Sequence, residues 1–216
     1  MVITIDGLGV NGKTTLAHMI SQEINFENFN TGAIYRCIAL EIINRNLNIE
    51  SKEELINEIS HINIYFNNDK VFLNNIDVTS EIKTEKISFL STKWATIPEI
   101  KQVVREIQRN FLKNNDTIIE GRDIATRVAP HADIKFYLYS DFETRVERLW
   151  KKNTKIAHEE IRENLKVRDE LDIKGGNFIK PENAIEIDST NKNIDEVFEI
   201  MMNTIKEKIK NKTYKK

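Results

Sequence analysis

The stretch GLGVNGKTT, beginning at Gly7, constrains this chain more than anything else in it. Gly7, Gly12, Lys13 and Thr14 satisfy the spacing G-x-x-x-x-G-K-[ST]. The residues before it, VITID at 2–6, alternate and are β-branched, which predicts a buried strand. Residues 13–25 place Leu16, Ala17, Ile20 and Ile24 on one helical face. Strand, glycine loop and helix in register are the context in which this pattern wraps phosphates: small residues let the backbone N–H groups turn inward around an anion. The chain has only 7 glycines, and three of them, Gly7, Gly9 and Gly12, fall in this loop. Lys13 is placed to reach the β- and γ-phosphates of a nucleoside triphosphate, and the Thr14 hydroxyl to bind Mg²⁺. Gly7, Gly9, Asn11, Gly12, Lys13, Thr14 and Thr15 make up the expected donor loop, with Thr14 as the metal contact.

The rest of the chain repeats a β–α rhythm. YRCIALEIINRNL has helical spacing through Ile38, Ala39, Ile42, Ile43 and Leu47, followed by an Asn-rich break. NIYFNN and KVFLNN predict two short strands joined at Asn68 and Asp69. Pro98 starts a helix whose apolar face runs through Ile100, Val103, Val104, Ile107 and Phe111 until the polar KNND. TIIEGRD predicts a strand running into a loop, IKFYLYS a strand, DFETRVERLWKKN and HEEIRENLKVRDELD helices, and AIEIDST a last strand before a C-terminal helix. The ending KEKIKNKTYKK is expected to be a solvated, frayed tail. The predicted fold is therefore a single α/β domain over 1–216, a three-layer P-loop fold with a parallel sheet of about five strands. A small β-containing insertion at residues 62–97 interrupts it.

Charge narrows the partners. The 32 basic and 34 acidic residues leave a net charge of -2, so no overall positive field points to nucleic acid or a membrane surface. No apolar run reaches the ~18 residues of a membrane span, and no signal-peptide pattern opens the chain. A single cysteine, Cys37, sits in an apolar helical pattern and suggests core packing in a reducing compartment. A cytoplasmic monomer acting on small nucleotides is the expectation. Four histidines, His131 in APHAD among them, lack metal-ligand spacing. Trp94 and Trp150 read as packing or lid contacts rather than base-stacking platforms.

Against this balanced charge, Arg36 in NTGAIYR, Arg122 in IEGRDIATRV, Arg145 and Arg148 in a charged helix, and Arg168 in KVRDELD fall on expected loops or helix ends. Phosphoryl transfer is mainly positioning plus neutralisation of charge on the moving group, and guanidinium groups grip phosphates through paired hydrogen bonds. The segments carrying these arginines, with ITIDGLGVNGKTT, VFLNNIDVTSEI, IEGRDIATRVAPHADIKFYL, RDELD and AIEIDST, resemble bacterial cytidylate kinases, of the nucleoside monophosphate kinase group. The VFLNN-DVT hairpin resembles the insertion that separates these from adenylate kinases.

The resemblance implies transfer of the ATP γ-phosphoryl group, with Mg²⁺, to CMP or dCMP. It implies that Arg36 and Arg122 hold the acceptor phosphate, that Thr31 and Asp123 line the nucleoside pocket, and that Arg168 and Asp172 lie near the transferring phosphate and the acceptor sugar. Arg148 matches a lid residue that would move over the donor phosphates, with the lid segment at about residues 149–167, and Asp6 or Glu120 would orient metal-bound water. Lys13, Arg122, Arg148 and Arg168 are the candidate catalytic residues. Thr31, Arg36, Thr92, Lys101, Arg122, Asp123, Arg168 and Asp172 are the candidate substrate contacts.

The chain departs from the family at identifiable positions. Val10 and Asn11 stand where glycine and serine are usual, Asn30 where aspartate is, and Thr92 where serine is. Two arginines that the family uses near the cytosine fall at Lys101 and Gly175, with Lys174 a neighbouring substitute. Asp123 is kept, and a carboxylate accepting from the cytosine amino group favours cytosine over uracil. A kinase for another pyrimidine monophosphate and a non-catalytic nucleotide-binding relative are the alternatives. A regulatory GTPase needs N-K-x-D, and NKNID puts Asp195 one place too far. A shikimate-type kinase has no need of the hairpin.

Overall fold

The structure, a computed structural model, describes residues 1–67, 70–113, 116–152 and 154–213. A five-stranded parallel sheet is built from β1 (Val2–Asp6), β2 (Glu27–Asn30), β6 (Thr117–Gly121), β7 (Ile134–Tyr139) and β8 (Ile185–Asp188), in the order β2-β6-β1-β7-β8. Ile3 and Ile5 of β1, Ile118 and Ile119 of β6, and Phe136 and Leu138 of β7 are fully buried. Such near-continuous apolar runs are what a parallel sheet covered on both faces requires.

One face is covered by α1 (Lys13–Ile24) and α8 (Ile194–Thr213), where Leu16, Ala17 and Ile20 meet Val197, Met201, Met202 and Ile205. The other is covered by α2 (Thr31–Asn44), α3 (Lys52–Ser60) and α5 (Pro98–Leu112), through Ile34, Ile38, Ile42, Leu55, Ile59, Ile100, Val103 and Val104. This is the three-layer architecture expected. Helix α3 is absent from the expectation above, because its nine residues bury only Leu55 and Ile59, one i,i+4 pair hidden in a charged segment.

The insertion holds a second sheet, β3 (Ile64–Asn67), β4 (Lys70–Leu73) and the two-residue β5 (Ile76–Asp77), all antiparallel. A 3₁₀ turn at Glu81–Lys83 and α4 (Glu85–Trp94) follow. Val71, Leu73, Val78, Ile82 and Ile87 pack on the second face of α2, around Ala33, Cys37 and Leu40. Cys37 is buried, and burial pushes its thiol up to about 12, so it packs and does not react. Trp94 packs between these two cores. Asn68 and Asp69, expected as the hairpin turn, lie outside the described residues, as do Asn114 and Asn115 of the KNND break.

Helices α6 (Phe142–Lys152) and α7 (His158–Lys174) complete the chain order between β7 and β8. Val146, Ile161 and Leu165 form their small core, with Trp150 against it. They cover most of the expected lid segment, of which Asn153 lies outside the described residues. The C-terminal tail is exposed over residues 206–210, as a solvated end requires, but it is not frayed there: α8 continues to Thr213, beyond the buried stripe that ends at Ile205. Residues 214–216 lie outside the described part.

Among the described residues no helix is long and apolar enough to cross a membrane.

Candidate active site

The cleft opens at the carboxyl ends of β1 and β6, adjacent strands whose chains leave in different directions, the usual ligand position in an open α/β sheet. The loop after β1 runs to Gly12, which caps α1 with φ 85 and no side-chain hydrogen bond. The first N–H groups of α1 are thus uncapped by any side chain, and the positive end of the helix faces the loop. Gly7 is required by proximity, since a Cβ there would lie 2.1 Å from the Leu138 carbonyl oxygen. Val10 adopts φ 65, the left-handed region that costs a β-branched residue most. Its side chain packs against the α6–α7 core.

A cavity of about 280 Å³ is lined on one side by Gly9, Val10, Lys13 and Thr14 and on the other by Thr31, Arg36, Thr92, Asp123, Arg168 and Asp172, with Glu120 and Arg122 between them. Lys13 crosses the loop and donates from Nζ to the Leu8 carbonyl at 2.7 Å. Burial, reinforced by Arg122, lowers its pKa to about 7. Arg122 donates from Nε to Asp172 at 2.6 Å and from Nη1 to the Gly7 carbonyl at 3.2 Å, so it bridges the loop and the far wall. Arg168 has a buried Nε with no partner among the described residues. Burial, then Arg122 and Arg36, bring its pKa down to about 10. Burial likewise lowers the pKa of Arg36, opposed by Glu120. Guanidinium groups whose charge is disfavoured in the free protein gain most when an anion enters.

Glu120 carries the matching acid. Its carboxyl is 5 % exposed, and burial raises its pKa against Lys13 and the hydrogen bond from Thr14. One of its oxygens, Oε1, has no partner among the described residues. Asp6 behaves differently. Its two oxygens accept from Ile124 N and Ala125 N, both at 2.8 Å, while burial raises its pKa to about 6. It anchors a single π-helical turn, Ile124–Val128, expected above as loop, and thereby fixes Arg122 and Asp123 at the cleft. Of the two carboxylates proposed for metal-bound water, Glu120 has a free oxygen and Asp6 has none.

The NTGAIYR segment differs from the loop expected. Asn30 is the N-cap of α2, its side chain accepting from Ala33 N at 3.0 Å, so Thr31 and Arg36 stand on the helix itself. Asparagine caps as well as aspartate does. Thr31 is held in turn by Gln108, whose Nε2 donates to its hydroxyl at 2.9 Å. The Thr92 hydroxyl donates to the Ser88 carbonyl at 3.0 Å and lines the cavity with Ser91.

Several expected site residues lie elsewhere. Asn11 turns into the protein, bonding the Leu138 carbonyl at 3.1 Å and accepting from Ser140 at 2.6 Å, and so ties the loop to the end of β7. Thr15 is exposed in the first turn of α1 and does not line the cavity. Arg145 is buried and forked onto Asp169 at 3.0 and 2.6 Å, with Nη1 also 3.3 Å from the Gly9 carbonyl. It staples α6, α7 and the glycine loop together, because a buried guanidinium needs a paired carboxylate. Arg148 is likewise turned away from the cavity, onto the loop after β8, through the Ser189 hydroxyl at 3.1 Å, the Ser189 carbonyl and the Lys192 carbonyl at 3.2 Å. Lys101 donates to the Gly175 carbonyl at 2.7 Å and Lys174 to Glu170 at 2.9 Å. Neither lysine lines the cavity.

Arg105, Tyr35, Lys83 and Asn177 line the cavity and were missed. Arg105 had a signal: Lys101, Arg105 and Gln108 form an i, i+4, i+7 stripe beside the apolar face of α5.

Solved structures share the fold. A gluconokinase from Sinorhizobium meliloti matches with a TM-score of 0.54 at 8% identity, over 99% of this chain and 96% of that one. A shikimate kinase from Bacteroides thetaiotaomicron matches with a TM-score of 0.50 at 10% identity, over 95% and 98%. In sequence, the cytidylate kinase of Fusobacterium nucleatum is 33% identical over 216 residues, 97% of this chain and 99% of that protein. The cytidylate kinase of Pseudothermotoga lettingae is 35% identical over 202 residues, 91% and 90% respectively. The cytidylate kinase family model matches residues 3–207, and this chain belongs to that family.

Proposed function

We propose that the protein transfers the γ-phosphoryl group of ATP to CMP or dCMP, giving ADP and CDP or dCDP. The observation that carries this reading is one cavity with the glycine loop and Lys13 on one wall, Arg36 and Arg168 on the other, and Arg122 bridging the two. Two phosphorylated ligands can meet there end to end. Lys13 leaves the Leu8 carbonyl for the donor phosphates, Arg36 and Arg168 take the acceptor phosphate, and Arg122 lies between them. Arg122 is held in place before the reaction by Asp172 and the Gly7 carbonyl, so its charge needs little reorganisation as the phosphoryl group moves. Residues 62–97 form the acceptor-binding insertion and 149–167 the lid, whose closure excludes water as a competing acceptor.

The residues present suit Mg²⁺. Thr14 offers a hydroxyl at the mouth of the loop, hydrogen-bonded to Glu120, whose carboxyl has one oxygen without a partner among the described residues. Among the described residues no three acids, histidines or cysteines cluster as a metal cage, so the nucleotide phosphates would supply most of the coordination. A bound Mg²⁺ would neutralise charge on the donor oxygens. The reaction is assigned to the cytoplasm, a reducing compartment compatible with the lone buried thiol.

A panel of monophosphates assayed with ATP tests the acceptor. CMP and dCMP are expected to turn over fastest; faster use of AMP, GMP or UMP would refute the assignment.

ATP binding is also expected to take up a proton. Lys13 is depressed to about 7 in the free protein, and polyphosphate favours its charged form. Above that pH binding must include protonation, so affinity should fall by up to ~10-fold per pH unit until the pKa of the bound state is reached. Calorimetry in buffers of different ionisation enthalpy measures this uptake. Affinity and heats that do not vary between pH 7 and pH 9 would contradict the role of Lys13.

A further inference from the structure

We propose that Arg105 and Asn177 supply the donors that read the pyrimidine ring, in place of the arginines that the family resemblance expects at positions 101 and 175. The inference rests on the function proposed above and deepens it.

The two substituted positions are bonded to each other. Lys101 Nζ is held by the Gly175 carbonyl at 2.7 Å, at the C-terminal end of α7, where a cation is favoured. It is thereby drawn out of the cavity wall. Position 175 has no room for a side chain either, since a Cβ would lie 2.6 Å from the Leu171 carbonyl oxygen and 2.9 Å from Thr96 Cγ2. An arginine cannot be placed there without a backbone shift.

Two other donors line the cavity. Arg105, one helical turn beyond Lys101, places Nη2 3.4 Å from Asp123 Oδ2. At that length the pair is loosely engaged, and both side chains keep some exposure toward the cleft. Asn177 is 9% exposed, and its buried Nδ2 has no hydrogen-bond partner among the described residues. Buried amide donors are rarely left so, and a ligand acceptor entering the cavity that Asn177 lines would satisfy this one.

The chemistry of the two rings then discriminates. One edge of cytosine presents an amino donor beside two acceptors, N3 and O2. Asp123 next to Arg105 presents an acceptor beside donors, which matches that order. Uracil offers a carbonyl oxygen where Asp123 needs a donor, and an N–H where cytosine has its N3 acceptor. A planar fork suits this reading better than an ammonium group. The competing account is that Arg105 only neutralises Asp123, and that account predicts no change in base preference.

Steady-state kinetics with saturating ATP and CMP, dCMP or UMP as acceptor separate the two. Arg105→Leu is expected to raise the KM for CMP about ten- to hundredfold, to leave the KM for ATP within about twofold, and to narrow the preference for CMP over UMP. Asn177→Ala should raise the CMP KM by a smaller factor, and the loss at 105 should exceed that of Lys101→Ala. Arg105→Lys keeps the charge beside Asp123 but removes the fork, so it tests base reading even where the leucine variant fails to fold. An intermediate KM for CMP supports the assignment and a wild-type KM overturns it. A leucine variant that keeps both the CMP KM and the base preference also overturns it, as does a larger loss at Lys101. Wild-type protein that phosphorylates none of the three acceptors refutes the proposed function and this inference together. Active wild type with an unaffected Arg105→Leu variant refutes the inference alone.

Discussion

Replacing Lys13 with alanine is expected to lower turnover about a hundred- to thousandfold, the usual loss when one preorganised charge facing the developing negative charge is removed. The fold should survive. Lys13 is buried, and its pKa lies at about 7 against an ordinary 10.5, so folding at neutral pH works against its charge. Alanine removes that cost, and the thermal midpoint should stay level or rise. The Leu8 carbonyl loses its 2.7 Å donor but lies in a loop still tied down by Asn11 and Gly7. Rate and melting measured together check the prediction. Turnover within about threefold of wild type would remove Lys13 from the chemistry.

The second large effect is expected at Arg36. It stands on α2, lines the far wall of the cavity and faces Glu120 across it. Arg36→Ala should raise the KM for the acceptor monophosphate about ten- to hundredfold, as loss of a charge-assisted pair does, while the KM for ATP moves little. Arg36→Lys should recover only part of the loss, because a point charge does not reproduce the two-pronged grip. Acceptor and donor titrations of both variants decide it. An unchanged acceptor KM would assign the acceptor phosphate to Arg122 and Arg168 without Arg36.

The donor side of this site was legible from the chain because it is local. Gly7, Gly12, Lys13 and Thr14 are close in sequence, and strand and helix on either side leave the loop one conformation to take. The sheet was legible for a similar reason, each strand being a short apolar run between helical periods. The acceptor side depends on residues brought together from positions 31, 36, 92, 123, 168 and 172, and resemblance supplied those. What escaped both readings were side chains that choose between partners. Arg145 and Arg148 look like any phosphate-gripping arginine in the sequence. Only the fold shows Asp169 beside one and the Ser189 and Lys192 carbonyls beside the other. Lys101 likewise has a helix end to bind that lies 74 residues away. Asp6 carries no sign in the sequence that both its oxygens accept from the Ile124 and Ala125 N–H groups.

The central claim is that donor and acceptor phosphates occupy one cleft, held by opposite walls. A single molecule joining adenosine and cytidine through a chain of five phosphates tests it directly by calorimetry and displacement. It should bind one per protein, more tightly than ATP or CMP alone, and displace both. Binding that displaces ATP but leaves CMP in place, or that requires two molecules per chain, would contradict it.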